Sequence, residues 1–256
     1  MKKLALSILI LFIALSASAN TVIDSLQQPV YANKLDSLKQ ELKANQYDSL
    51  KADLYRQIAA QYLKYDTIVG KKAKTAYQNE ALNYTMLALH GYSKYNDTLG
   101  MRTCFNYLTK VYRAQKKFSQ AKWFILQSNT ISRKLNDKAN IIISLLELAA
   151  IKMDIKDNSL AMRDLNEALK LSVDNHYPSI EAKVQESYAM LYSRTKKYVK
   201  EAAALKRRDF LNDSITKAEQ ALLAKATTQD TVQGKKKLLT VRKAPKAVSS
   251  KRMASL

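Results

Sequence analysis

Apolar and small side chains return along this chain at an interval of forty residues. Ala121, Ile125 and Ser128 stand forty after Ala81, Thr85 and Ala88, and forty before Ala161, Leu165 and Ala168. Glu201, Leu205 and Arg208 keep the spacing once more but lose the small residues. A second comb runs through the intervening segments. Leu108, Thr109 and Tyr112 recur as Leu148, Ala149 and Lys152, then as Tyr188, Ala189 and Tyr192. Ile58, Ala59 and Tyr62 precede them by fifty, with extra residues inserted around Thr67 to Thr75. Within each comb the steps of three and four trace one face of an α-helix. The pattern predicts helices over 33–45, 47–64, 75–95, 98–115, 118–135, 138–155, 158–174, 178–196 and 198–225. Asn96-Asp97, Asn136-Asp137, Asp174-Asn175 and Asn212-Asp213 read as helix ends, and Pro178 as a helix start, where its missing N–H costs nothing.

Composition supports helices and little else. The chain has 256 residues, 47% of them apolar, but only 4 Gly and 3 Pro. Average usage would give about 18 and 13. Turn-rich β-sandwiches and Gly-loop nucleotide folds need residues that tolerate positive φ, so they are excluded. Small side chains at the forty-residue positions let paired helices approach closely, while larger ones fill the grooves between pairs. No single pair can bury its apolar face, so the expected fold is all-α: a right-handed α-solenoid of about four helix-pair repeats of about 40 residues.

These positions resemble the tetratricopeptide repeat (TPR). Phe105, Leu108, Thr109, Tyr112, Ala121, Ile125 and Ser128 fill the family's places in the best copy, and the resemblance covers residues 47–213. Thr109 stands for a small residue, Lys152 for a Tyr and Glu201 for a packing Ala. The period of forty, against the family's 34, implies longer helices. The resemblance implies a concave face, made by the first helix of each pair, that binds a peptide or partner protein. Carried over residue by residue, that face holds Arg56, then Asn106, Lys110 and Arg113, then Leu146, Ala150 and Met153, then Glu186, Met190 and Arg194. It would be basic at one end and apolar in the middle, matching an extended peptide with acidic and apolar residues. Each position is also readable as an ordinary solvated helix face. The family's Lys/Asn/Asn/Lys/Arg clamp for a terminal carboxylate is not reproduced.

The layout is also similar to the extracytoplasmic TPR region of sensor histidine kinases, including Asp213-Ser214-Ile215 after the last repeat. The alternative function is therefore a detached sensory module acting with a separate signalling partner. After Ile215 the longest apolar run is Ala221 to Ala224, so no membrane span is expected there.

The two ends read differently from the repeats. Lys2 and Lys3, the apolar run Leu4 to Leu15, and Ser16-Ala17-Ser18-Ala19 make residues 1–19 a secretory signal peptide. The run is too short for an anchor, which needs about 20 residues. Export to the periplasm or beyond follows as an expectation. Residues 20–46 form an N-terminal segment with a capping helix, 214–233 a C-terminal helix, and 234–256 a basic disordered tail. The net charge is +21, and the tail carries eight basic residues with no acid. It is either solubilising or a tether to an anionic membrane surface.

Catalytic chemistry is not expected. No H-E-x-x-H, G-x-S-x-G, G-x-x-x-x-G-K or C-x-x-C occurs. His90 and His176 fall near helix ends, and the lone Cys104 reads as a buried inert thiol. The chain is read as a non-enzyme with no cofactor and no metal. Basicity and 15 tyrosines suggest nucleic acid, but most of those tyrosines occupy repeat positions, so that partner is not favoured. A recurrent Asp-Ser/Thr-aliphatic tripeptide, as at Asp36, Asp48, Asp66, Asp97 and Asp213, reads as first-turn capping. It also resembles a periplasmic O-glycosylation acceptor.

Overall fold

The computed structural model describes the backbone of residues 31–242 and the side chains of residues 34–225. The signal peptide expected in residues 1–19 and the last residues of the expected basic tail lie outside them. Every described helix follows the last in antiparallel succession: α1 Tyr31–Ala44, α2 Asp48–Tyr62, α3 Lys71–Lys94, α4 Thr98–Ala114, α5 Phe118–Lys134, α6 Lys138–Asp154, α7 Asn158–Asp174, α8 Pro178–Arg194 and α9 Tyr198–Arg242. A 3₁₀ turn, Tyr65–Thr67, follows α2. The described residues form no strand, and no described helix is long and apolar enough to cross a membrane. This is the α-solenoid class, built of successive helix pairs.

The repeat is generated by one turn. Helices α4 to α8 have 17 residues each. From α3 to α9 the chain takes three residues between consecutive helices, and the middle one has positive φ: Asn96, Lys116, Asn136, Lys156, His176 and Lys196. At each, two backbone N–H groups close on the helix end. Asn96 N–H donates to Ser93 O at 3.2 Å and Asp97 N–H to Tyr92 O at 2.9 Å. The same pair recurs to Lys196 on Ser193 O at 3.0 Å and Lys197 on Tyr192 O at 2.8 Å. This is the Schellman arrangement, which usually recruits glycine. None of the six is glycine. The glycines serve elsewhere: Gly70 takes φ +93° before α3, and a Cβ on Gly91 would lie 2.7 Å from Ala52 Cβ, where α2 and α3 touch.

Contacts divide the chain into two compact units after Asp164, inside α7. In the first, α3 packs on α2 and α4, and α5 on α4 and α6. Leu38, Leu54, Ile58, Tyr62, Tyr65, Ala81 and Val111 form one core cluster, and Ala121, Ile125, Leu148 and Ile151 another. The expected small positions Ala81, Ala88, Ala121 and Ala161 are fully buried, and Ser128 nearly so. Tyr112 stacks on Phe124 with ring centroids 5.5 Å apart. Cys104 is buried, and burial pushes its thiol up to about 12, as an inert thiol requires. In the second unit α9 packs on α8, burying Leu191, Ala204 and Leu211.

One departure from the repeat pattern proves to be a buried ion pair. Lys152, at a place where the family has Tyr, puts its ammonium 2.5 Å from the Asp164 carboxylate, with both side chains under a tenth exposed. A lysine can occupy this site because α7 brings its counter-charge.

Four expectations are corrected. The helix α3 starts at Lys71 rather than 75, because the insertion folds as the 3₁₀ turn and joins it. Asp174-Asn175 do mark a helix end, that of α7, but Asn212-Asp213, also expected at one, lie inside α9. Of the Asp-Ser/Thr-aliphatic set, Asp97 caps α4 by accepting from Gly100 N at 2.8 Å, and Asp48 begins α2. Asp36 and Asp213 sit within helices, where capping does not apply. The last helix runs to Arg242, so residues 234–242, expected in a disordered tail, are helical. Ala, Leu, Lys and Gln dominate the preceding stretch from Lys217 to Ala226, and these are strong helix formers.

Two measurements check this account. Lys152→Met strands a buried carboxylate and should cost about 3–5 kcal/mol, most of it recovered by adding Asp164→Leu, as read by denaturant unfolding. Lys156→Gly should raise stability by about 0.5–1 kcal/mol, since only glycine takes the left-handed turn without steric cost. A lower melting temperature for Lys156→Gly would contradict the assigned turn.

Candidate functional site

In the first unit, α2, α4 and α6 present a common face. Residues 106, 110 and 113 on α4, and 143, 147 and 154 on α6, fall at helical spacings of three, four and seven. Two pockets open on this face. One of ≈ 350 Å³ is lined by Ala60, Leu63, Asn106, Tyr107, Ile125 and Ile143, together with Lys110 and Glu147. The second, of ≈ 330 Å³, is lined by Tyr65, Asp66, Lys110, Arg113, Glu147 and Asp154. Lys110 and Glu147 line both, so the pockets adjoin. The first is mainly apolar and the second carries charges of both signs.

The charges are largely committed to one another. Arg113 Nε lies 2.8 Å from Asp154 Oδ2, and another guanidinium nitrogen 3.5 Å from Glu147 Oε2. These bonds tie α4 to α6. Lys110 is exposed, 3.4 Å from the Leu63 carbonyl and 5.7 Å above the Tyr65 ring. It has no carboxylate within ion-pair distance among the described residues. Tyr65 donates to the Lys110 carbonyl at 3.2 Å, and burial pushes its phenol up to about 12, so it stays a neutral donor.

Arg56 is occupied elsewhere. Its guanidinium donates to Asp53 at 2.6 Å and 2.9 Å and to the Tyr92 hydroxyl at 3.2 Å. Tyr92 in turn donates to Asp53 at 3.2 Å, which links α2 to α3. Burial opposes the charge on Arg56, but the Asp53 and Tyr92 bonds raise its pKa above the ordinary value. Asn106 accepts from Ser128 at 2.6 Å and so bridges α4 to α5 while lining the apolar pocket.

Lys110, Arg113 and Asn106 are therefore brought together as expected, while Met153 is not. It is 3% exposed, one of three consecutive buried residues on α6, and cannot reach a partner. The helix is covered on both flanks, by α5 and by the start of α7, so its buried face is wider than a single stripe. Glu147 and Asp154 were missed. Their signal was available as two acids seven apart on the helix following Lys110 and Arg113, but pairing them needed the register of α6 on α4.

Met190 and Arg194 belong to the second unit. With Glu186 they lie four residues apart on the exposed face of α8. A pocket of ≈ 410 Å³ in this unit lies on another face, lined by Asn166, Tyr188, Tyr192 and Lys200. There Tyr188 donates to Asn166 at 2.6 Å and stacks on Tyr192.

No family model matches the chain, and no curated protein matches it. Solved structures do. The chain is similar to BtubC (BKLC) from P. vanneervenii, with a TM-score of 0.60 and 14% identity over 75% of this chain and 76% of that one. It is similar to the apo form of RapI, with a TM-score of 0.61 and 14% identity over 78% and 70%. A third match is PH0952 from Pyrococcus horikoshii, a signal transduction ATPase with numerous domains and a tetratricopeptide repeat sensor. There the TM-score is 0.62 at 18% identity, over 79% of this chain and 30% of that one. These likenesses show a TPR-type helical-repeat fold.

Acid should loosen the helix contacts first. Asp53 and Asp137 are raised by burial, but hydrogen bonds outweigh it: Arg56 and Gln57 on Asp53, and Asn140 and Arg102 on Asp137, hold both below the ordinary carboxylate value. A carboxylate with a depressed folded pKa contributes stability above its unfolded value of about 3.9 and loses it as pH falls through the folded value. The melting temperature should stay level from about pH 7 to 5 and drop below about pH 4. Arg102→Gln should shrink that drop.

Proposed function

We propose that the chain is a non-enzymatic interaction scaffold that holds a partner protein by an extended segment laid across α2, α4 and α6. The observation that carries this reading is the adjoining pair of pockets sharing Lys110 and Glu147, apolar beside Ile143 and Tyr107 and charged beside Tyr65. An apolar anchor fits the first pocket, and an acidic side chain fits Lys110, whose ammonium lacks a carboxylate partner in the described residues. The groove is less basic than its sequence suggests, because Glu147 and Asp154 compensate Arg113. One acidic residue beside apolar ones therefore matches it better than an acidic run.

The signal peptide read in residues 1–19 supports an exported protein working in the cell envelope. A second reading, favoured by the likeness to a protein whose repeats are described as a sensor, is a sensory module that signals through a separate partner.

The test is capture of partners from envelope extract by the full chain and by single variants. Lys110→Glu and Ile143→Asp alter exposed groove residues and should each reduce capture about tenfold, with melting nearly unchanged. Arg113 is left intact because reversing it would break α4 from α6. Wild-type capture by both variants would remove this face as the binding site.

A further inference from the structure

Lysines collect at one set of turns. In antiparallel helix pairs of one unit, the turns leaving α2 and α4 share an edge, and those entering α4 and α6 share the other. The exits carry Lys64, Lys71, Lys72 and Lys74 with Asp66, then Lys116 and Lys117, whereas at the entries Lys94 and Lys138 stand beside Asp97 and Asp137. Between the first two exits lies a cavity of ≈ 650 Å³, larger than either groove pocket, lined by Lys71, Lys74, Lys116 and Lys117 without a carboxylate. Lys74 also reaches Asp66, 3.0 Å away and outside the lining.

Two helix starts open at the same place, α3 at Lys71 and α5 at Phe118. Their N-cap residues, Gly70 and Lys117, supply no side-chain cap, so first-turn N–H donors of both helices are not satisfied by a capping side chain. The positive ends of both helix dipoles add to the lysine field. Polar side chains complete the wall. Gln78 is only 7% exposed and lines the cavity, and its amide forms no hydrogen bond with another described residue. Gln115 Oε1 is buried without a partner, while its nitrogen reaches Asn79 only at 3.5 Å. Of the two amides, the Gln78 –NH2 can donate to an occupant, whereas Gln115 Oε1 is an acceptor and does not bond an anion; the lysines and helix ends fix the occupant's charge as negative.

We propose that this cavity binds a group carrying several phosphates. Its volume exceeds the needs of a single small anion. Separate lysines and two helix starts suit anionic oxygens spread over more than one phosphate. The source is either a soluble oligophosphate or a phosphate-bearing lipid headgroup. The site is independent of the groove, and loss of partner capture in groove variants would leave it standing.

Titration calorimetry of the full chain with inorganic tripolyphosphate should show one saturable site, with inorganic phosphate much weaker. Lys71→Gln with Lys117→Gln should weaken tripolyphosphate about tenfold, whereas the equal charge loss Lys170→Gln with Lys183→Gln should change it less than about twofold. Circular dichroism of both pairs checks that the fold is kept. Flotation with phosphatidylcholine vesicles, with and without cardiolipin, whose headgroup carries two phosphates, distinguishes the sources. Loss of flotation confined to the Lys71/Lys117 pair assigns the site to a lipid headgroup, and unchanged flotation assigns it to a soluble oligophosphate. Binding that does not saturate, or that falls equally in both pairs, overturns the proposal in favour of diffuse charge.

Discussion

A three-residue turn with one left-handed residue sets the other spacings in this protein. Each such residue costs roughly 1–2 kcal/mol of backbone strain when it is not glycine, and six non-glycine residues accept it. Two backbone hydrogen bonds at each turn offset that cost by satisfying carbonyls the helix end would otherwise orphan. Because the same turn joins α4 to α8, a 17-residue helix and its turn advance the chain by a constant step there. Equivalent side chains then return at every second helix. Constant spacing lets Ala81, Ala121 and Ala161 occupy the same close contact in successive pairs, and it keeps exits and entries on separate edges within a unit.

Close contact in turn decides which departures the fold accepts. An alanine site at a helix crossing leaves no room for a longer chain, but the Tyr site filled by Lys152 is roomy enough for an ammonium if a counter-charge arrives. Asp164 supplies it from the next helix. This arrangement is less forgiving than an aromatic, since each partner alone would be a buried charge. It also links α6 to the first turns of α7, within the first unit.

Helix positions were legible because the apolar combs carry both the helical period and the longer repeat. The ends of α4 to α8 lay within two residues of expectation. What the sequence hid was pairing. Lys116 and Lys156 look like surface charges, and nothing local reveals a left-handed backbone when the customary glycine is missing. Lys152 could be marked as a misfit, but its partner twelve residues on depends on how α7 lies against α6. Met153 looked like a groove residue by transfer from the repeat, and the width of the buried face on α6 removed it. The length of α9 was underestimated because a basic composition was read as disorder, although lysine sustains a helix well.

Charge shows the same limit and points to a different reading of basicity. On the face of α2, α4 and α6, Arg113 is matched by Glu147 and Asp154 and ties α4 to α6, while Arg56 is held by Asp53 within α2 and by Tyr92 of α3. At the turn edge the lysines have few such partners, and they share a cavity with buried amides and two helix starts lacking side-chain caps. A formal charge of +21 therefore says little until each cation is assigned to a partner. Cations paired across helices add stability and shape. Those left beside unsatisfied donors create a potential that only an incoming anion can relieve, which makes the turn edge, rather than the groove, the place where net charge becomes recognition.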